Sequence, residues 1–154
     1  MADINPGIVS RNEETARKEI ATLGYTADLG VELTRLEPGY AEGRLRVEDR
    51  HRNTNQIVHG GVLYALCDTM ASLAAASWGD GGATVQGNIS YMRSAQGDEI
   101  ICKASVDRYG RHMVFSHADV FTRDGQVCHS DFIHMRMPGT ENFGIRSVYE
   151  EEAE

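Results

Sequence analysis

The chain has 154 residues and 17.0 kDa, one domain's worth of protein, with enough interior for a core that needs no disulfide or metal staple. Against 15 Lys and Arg stand 23 Asp and Glu, so the formal charge is −8 and the surface as a whole repels a phosphate backbone, which sets nucleic-acid binding aside. The three cysteines are widely spaced with no C-x-x-C pair, no stretch approaches the ~18 apolar residues of a membrane span, and the first ten residues carry Asp3 and Pro6 rather than a basic-then-apolar leader, so the expected setting is a reducing cytoplasm.

Ser10 with Glu13 three residues on reads as a capping box, and Ala16, Ile20 and Leu23 share one face of a short amphipathic helix that Gly24 ends. Over 29–37 and 41–48 apolar residues alternate, Val31 and Leu33 and then Leu45 and Val47, about the turn signal Pro38-Gly39, which predicts a hairpin. A polar connection, 51–56, leads into Ile57-Val58-His59-Gly60-Gly61 and a run to Trp78 that is rich in helix formers and apolar on nearly every side. That run predicts a helix buried all round, interrupted by Tyr64, Asp68, Thr69, Ser72 and Ser77. Four strand-like segments follow at 83–93, 98–109, 112–123 and 126–137, with Asp124-Gly125 a preferred two-residue turn, and predict three consecutive antiparallel connections. Residues 139–154 carry five Glu against Arg146 without apolar periodicity and read as a disordered acidic tail, leaving 1–138 as a single domain.

This order predicts an α+β fold in which one curved antiparallel sheet wraps the central helix, since nothing else in the chain covers it. The other sheet face and the edges are left for partner subunits, so a homodimer or homotetramer is expected.

Two features of the central helix lend themselves to chemistry. At its entrance, Gly60 and Gly61 present backbone N–H groups with no side chain in the way, at the positive end of the helix dipole, where an oxyanion or a carbonyl is received. In its middle Asp68 places a carboxylate among apolar neighbours, where an unpaired charge is costly. The plainer alternatives are close packing for the glycines and, for Asp68, a carboxylate satisfied by a hydroxyl such as Ser72 one turn on. Eight residues separate Gly60 from Asp68, about 12 Å of helical rise, so one helix cannot bring both to one carbonyl carbon. Two helices set antiparallel about a two-fold axis can, which predicts a site that exists only in the dimer.

The segment N53-T-N-Q-I-V-H59-G60-G61-V-L-Y-A-L-C-D68-T, followed by T84-V-Q-G-N88-I-S-Y91-M, resembles the hotdog-fold acyl-CoA thioesterases of the PaaI (phenylacetic acid degradation) type, over about residues 25–137. The resemblance implies a hotdog fold and hydrolysis of a small aryl, aryl-acetyl or medium-chain acyl-CoA to the free acid and coenzyme A. It also implies Asp68 as general base or nucleophile, the Gly60 N–H as the group that polarises the thioester carbonyl, Asn53 as a positioner of water or substrate, His59 as an orienting partner and Thr84 at the start of the next strand. The glycine common three residues before the motif histidine is Gln56 here. A carboxylate and N–H donors suffice for thioester hydrolysis, so neither a metal nor a cofactor beyond the substrate's own coenzyme A is expected.

Gly61, Tyr91, Arg93 and Arg111 are the expected substrate-binding residues, the two arginines, drawn from a scattered set that includes Lys103, Arg108 and Arg123, gathering across the subunit interface on the phosphates of coenzyme A. Cys67 reads as a small buried hydrophobe rather than a nucleophile. If Asp124-Gly125 is the turn, His117, Asp119 and His134 share one sheet face, where cross-strand packing is the expectation and a metal site is not. A hotdog dehydratase or hydratase and a non-catalytic acyl-CoA-binding protein are the alternative functions.

Overall fold

A computed structural model describes residues 6–78 and 81–137, with the side chains of 6–12 and the expected acidic tail outside the described part. Helix α1, Pro6–Thr22, starts four residues before Ser10, so the residue expected to cap it falls inside it. Proline is suited to a first helical turn because its missing N–H would be unpaired there in any case. Glu13 bonds forward to Arg17 at 2.5 Å, and Arg17 also reaches the Leu33 and Thr34 carbonyls, laying α1 along the first strand with Ala16 and Ile20 buried. A second short helix, α2, Gly24–Leu29, takes the start of the first expected strand and closes on Gly30, whose φ of 77° is the left-handed cap that glycine allows.

Strands β1, Val31–Glu37, and β2, Tyr40–Arg46, form the predicted hairpin, with Gly39 at φ 73° in the turn. The central helix α3, Gly60–Ala76, is followed by β3, Gly81–Tyr91, β4, Glu99–Tyr109, β5, Met113–Thr122, and β6, Gly125–Met137. All pairings are antiparallel and the order across the sheet is β1-β2-β4-β5-β6-β3. The α+β prediction of a single antiparallel sheet around a central helix is met.

The first of the three expected consecutive connections is not a hairpin. Both sides of β4 are taken, by β2 and β5, and β3 pairs with β6 at the far edge. A 17-residue helix needs cover along its whole length, and placing β3 beyond β6 widens the sheet that supplies it. The chain returns to β4 across the entrance of α3, where Ala95 is buried and its carbonyl accepts from the Val58 N–H at 3.0 Å. One side of β3 therefore carries no partner strand among the described residues.

Leu66, Cys67, Met70, Ala71 and Ala74 of α3 pack on Ala41, Leu45, Ile100, Cys102, Ala118, Val120 and Cys128. Burying the larger of these, Leu66, Met70, Leu45, Ile100 and Val120, contributes about 1.5–3 kcal/mol each, and the alanines less. The helix is not buried all round, however. Gly61, Tyr64, Ala65, Asp68, Thr69 and Ser72 stay partly or fully exposed, and their spacing of three and four residues puts them on one stripe. The polar interruptions in the sequence thus mark an uncovered face.

A second correction concerns the last hairpin. Thr122 pairs with Gly125, so the turn residues are Arg123 and Asp124, and a bulge between Val120 and Phe121 shifts the register. His117 then faces Asp131 and Asp119 faces His129 on the outer side, while His134 points inward beside Ser116. A one-residue slip exchanges the two faces of a strand, which is why the expected common face of His117, Asp119 and His134 is absent.

Candidate active site

The N-terminus of α3 is shaped by the connection before it. His59 takes an extended conformation as N-cap, and its Nδ1 accepts from the Gly61 N–H at 2.8 Å. Gly61's donor is therefore spent on His59, whereas the Gly60 N–H has no partner among the described residues. Both glycines also sit close to rings: a Cβ on Gly60 would lie 3.0 Å from the Tyr91 ring and one on Gly61 3.0 Å from the His59 ring, so a larger residue at either needs that ring to give by a few tenths of an ångström. Tyr91 donates its hydroxyl to the Gly60 carbonyl at 2.9 Å, and partial burial raises its pKa above the ordinary 10.0.

Asn53 holds the loop between the 3₁₀ turn, Asp49–His51, and α3. Its Oδ1 accepts from the Asn55 N–H at 2.9 Å and the Ile57 N–H at 3.3 Å, leaving the amide NH₂ as its available group. Gln56 has a φ of 62°, alone in positive φ among the described non-glycine residues. The loop thus takes a backbone that suits glycine, with glutamine in its place. Arg52 clasps the carbonyls of Gln56 and Gly97, each at 3.1 Å.

Asn53, His59, Gly60, Gly61, Tyr91 and Arg93 line one open cleft of about 580 Å³. Arg93 lies over the last hairpin, donating to the Asp124 carbonyl at 2.5 Å. Arg111 sits at the opposite end of the helix: its carbonyl accepts from Arg136, which lines a small crevice with Ala76 and Gly81. The two arginines expected to share the phosphates are therefore apart within one chain.

Asp68 and Thr84 form the second group. The Thr84 hydroxyl donates to Asp68 Oδ1 at 2.8 Å, and Oδ2 has no partner among the described residues. Ser72 lies 3.3 Å from the Thr84 hydroxyl, so threonine rather than serine satisfies the carboxylate. Behind Thr84 stands His134, with Nδ1 3.3 Å from the Thr84 oxygen and Nε2 2.9 Å from Ser116 Oγ. Burial, at 2% exposure, holds its pKa below the ordinary 6.5 against a smaller opposing pull from Asp68. Sequence reasoning placed His134 on the other face, and Ser116 carried no signal at all. Cys67 is fully buried, and hydrogen bonding with Cys102 together with burial raises its pKa, which suits an inert core thiol.

The thioesterase superfamily profile matches residues 55–129. A Schizosaccharomyces pombe protein, named provisionally as an esterase, is 30% identical over 114 residues, covering 70% of this chain and 71% of its own. The chain belongs to the thioesterase superfamily. Human acyl-coenzyme A thioesterase 13 is 30% identical over 93 residues, covering 58% of this chain and 66% of its own. The crystal structure of a hypothetical thioesterase protein with coenzyme A from Streptococcus pneumoniae superposes with a TM-score of 0.66 at 26% identity, over 70% of this chain and 85% of that one. The superfamily match begins in the Asn53 loop and takes in Gly60, Asp68, Thr84, Tyr91 and Arg93. Among the described residues no helix is long and apolar enough to cross a membrane.

Proposed function

We propose that this protein is a cytoplasmic acyl-CoA thioesterase of the PaaI type, hydrolysing a small aryl, aryl-acetyl or medium-chain acyl-CoA to the free acid and coenzyme A. The observation that carries the reading is the pairing of complementary half-sites on one helix. At the entrance of α3 the uncommitted Gly60 N–H and the Asn53 amide share a cleft, as two donors for a carbonyl oxygen require. Eight residues on, Asp68 is anchored through one oxygen and offers the other. The helix holds the two about 12 Å apart, so a second copy laid antiparallel on the open stripe of Gly61, Tyr64, Ala65, Asp68, Thr69 and Ser72 completes two equivalent sites. The unpaired side of β3 borders that stripe through Thr84, and supports a homodimer built along this edge or a homotetramer made of two such dimers.

In this arrangement the Gly60 N–H and the Asn53 NH₂ stabilise the negative charge that develops on the thioester oxygen. Asp68 of the second copy either deprotonates a water or attacks the carbonyl carbon, and the sulfur leaves as coenzyme A. Arg93, at the mouth of the cleft, is placed to meet a phosphate of the coenzyme. Human acyl-coenzyme A thioesterase 13 and the coenzyme A complex from Streptococcus pneumoniae support the choice of substrate class.

The test is thiol release over a panel of acyl-CoA esters with wild type, Asp68→Asn and Asp68→Ala. Loss of a base or nucleophile predicts a fall in kcat of at least ~100-fold in both. Mixing Asp68→Asn with Asn53→Asp, which keeps the Oδ1 acceptor that holds the loop and removes the amide donor, should restore activity through one intact site per mixed dimer. Unchanged turnover in the Asp68 variants would remove that residue from the mechanism. Hydration of an enoyl-CoA without thiol release would turn the reading to a dehydratase, and tight binding without turnover to a carrier. Single-turnover oxygen-18 incorporation into Asp68 separates nucleophile from base.

A further inference from the structure

The four side chains behind Asp68 can be given directions by counting protons. The Thr84 hydroxyl has one hydrogen and lies 2.8 Å from Asp68 Oδ1, which when ionised only accepts. That hydrogen is committed, so the other neighbours of Thr84 Oγ1, His134 Nδ1 at 3.3 Å and Ser72 Oγ at 3.3 Å, must donate to it. His134 then carries its proton on Nδ1, and its Nε2, 2.9 Å from Ser116 Oγ, accepts the serine's hydrogen. His134 and Ser116 are each 2% exposed, which limits the water able to compete for these roles. The result is a one-way chain from Ser116 through His134 and Thr84 to Asp68.

We infer that His134 is a positioning residue: its Nδ1–H pins the Thr84 hydroxyl so that the threonine's hydrogen stays on Oδ1 and Oδ2 of Asp68 is the oxygen left for chemistry. Without that donor Ser72 is the remaining neighbour, and because its own hydroxyl can turn from donating to accepting, the threonine's hydrogen can swing off Oδ1 and the carboxylate loses its fixed orientation. His134 lies on β6 opposite Thr84 in the β3 ladder, so the strand pairing sets the contact. The inference rests on the thioesterase reading, because it assigns a role to Asp68.

Two measurements test it, one independent of turnover. Imidazole ¹⁵N NMR of the whole protein should show His134 protonated at Nδ1 and bare at Nε2 near neutral pH, and the opposite tautomer would overturn the inference. In thiol-release kinetics on the best acyl-CoA of the panel, His134→Leu should lower kcat about tenfold with KM within about twofold, as expected for one lost hydrogen bond acting on the reacting group. His134→Gln, whose amide can still donate to Thr84, should return kcat to within about threefold of wild type. On a Thr84→Val background His134→Leu should cost nothing further, and an undiminished second loss would overturn the role. Val120→Ala, a truncation in the core away from Thr84, controls for general loosening, and a fall in its kcat equal to that of His134→Leu would also sink the inference. If wild type releases no thiol from any ester, the functional reading fails, and the tautomer still decides whether the chain runs as drawn.

Discussion

Gln56 offers a direct measure of how the entrance loop is built. An L-residue in the left-handed region carries a cost of roughly 1–2 kcal/mol, and Gln56 sits there at φ 62°. Its backbone bonds, N–H to the Asn53 carbonyl at 2.9 Å and C=O from Arg52 at 3.1 Å, do not depend on the side chain, which is exposed. Gln56→Gly removes the strain and adds about 0.4–1 kcal/mol of unfolded-state entropy, leaving a net gain of roughly 0.5–1 kcal/mol. For a chain of this size that raises Tm by about 1–3 °C. Thermal unfolding at one fixed protein concentration should rank Gly above Asn, which tolerates this region better than most residues, and Asn above Ala and the native Gln. Alanine is the decisive control, since it deletes the side chain and keeps the strained backbone. A glycine variant no more stable than the alanine variant would refute the argument.

Further outcomes follow from the same geometry. Tyr91→Phe deletes the bond to the Gly60 carbonyl and should lower kcat/KM by about two- to tenfold in the thiol-release assay, the value of one hydrogen bond of about 0.5–1.5 kcal/mol. The pKa of His129 is raised, chiefly by its bond to Asp119, so its contribution to stability is present below pH 6.5 and lost as pH rises through the folded value. That of His134 is lowered by burial, so its contribution is present above pH 6.5 and lost as pH falls through the folded value; NMR titration should show the two histidines displaced in opposite directions. Cys67, Cys102 and Cys128 are fully buried, so Ellman's reagent should leave all three unmodified in the native protein and count three in denaturant.

The strands were legible because alternation is a local property: Val31 and Leu33 face inward as the pattern requires, although an irregularity between Leu33 and Arg35 then brings Leu36 inward out of step. Their neighbours were not, since alternation in β3 is the same whether it pairs with β4 or with β6. The His134 error has one physical source, a turn and a bulge that together shift the β5–β6 register by one residue. Asp68 and Gly60 stood out because a carboxylate within an apolar run and a glycine pair at its entrance are both locally anomalous. Their partners Thr84, Tyr91 and His134 lie 16 or more residues from the groups they bond, and a histidine in an alternating strand has nothing local to mark it. The open stripe on α3 could have been read from the spacing of Gly61, Tyr64, Asp68 and Ser72, which fall three to four residues apart.

The clasp made by Arg52 has a mechanical consequence. Its guanidinium holds the carbonyls of Gln56 and Gly97, which lie in sequence just beyond the cleft-lining residues Ile57 and Ala95, and the Val58 to Ala95 bond crosses between the same two segments. Segments riveted at two points travel together rather than hinge apart. A rim of this construction keeps its shape when a second copy settles against it, so any retuning of the cleft would come through the residues that line it rather than through a moving flap.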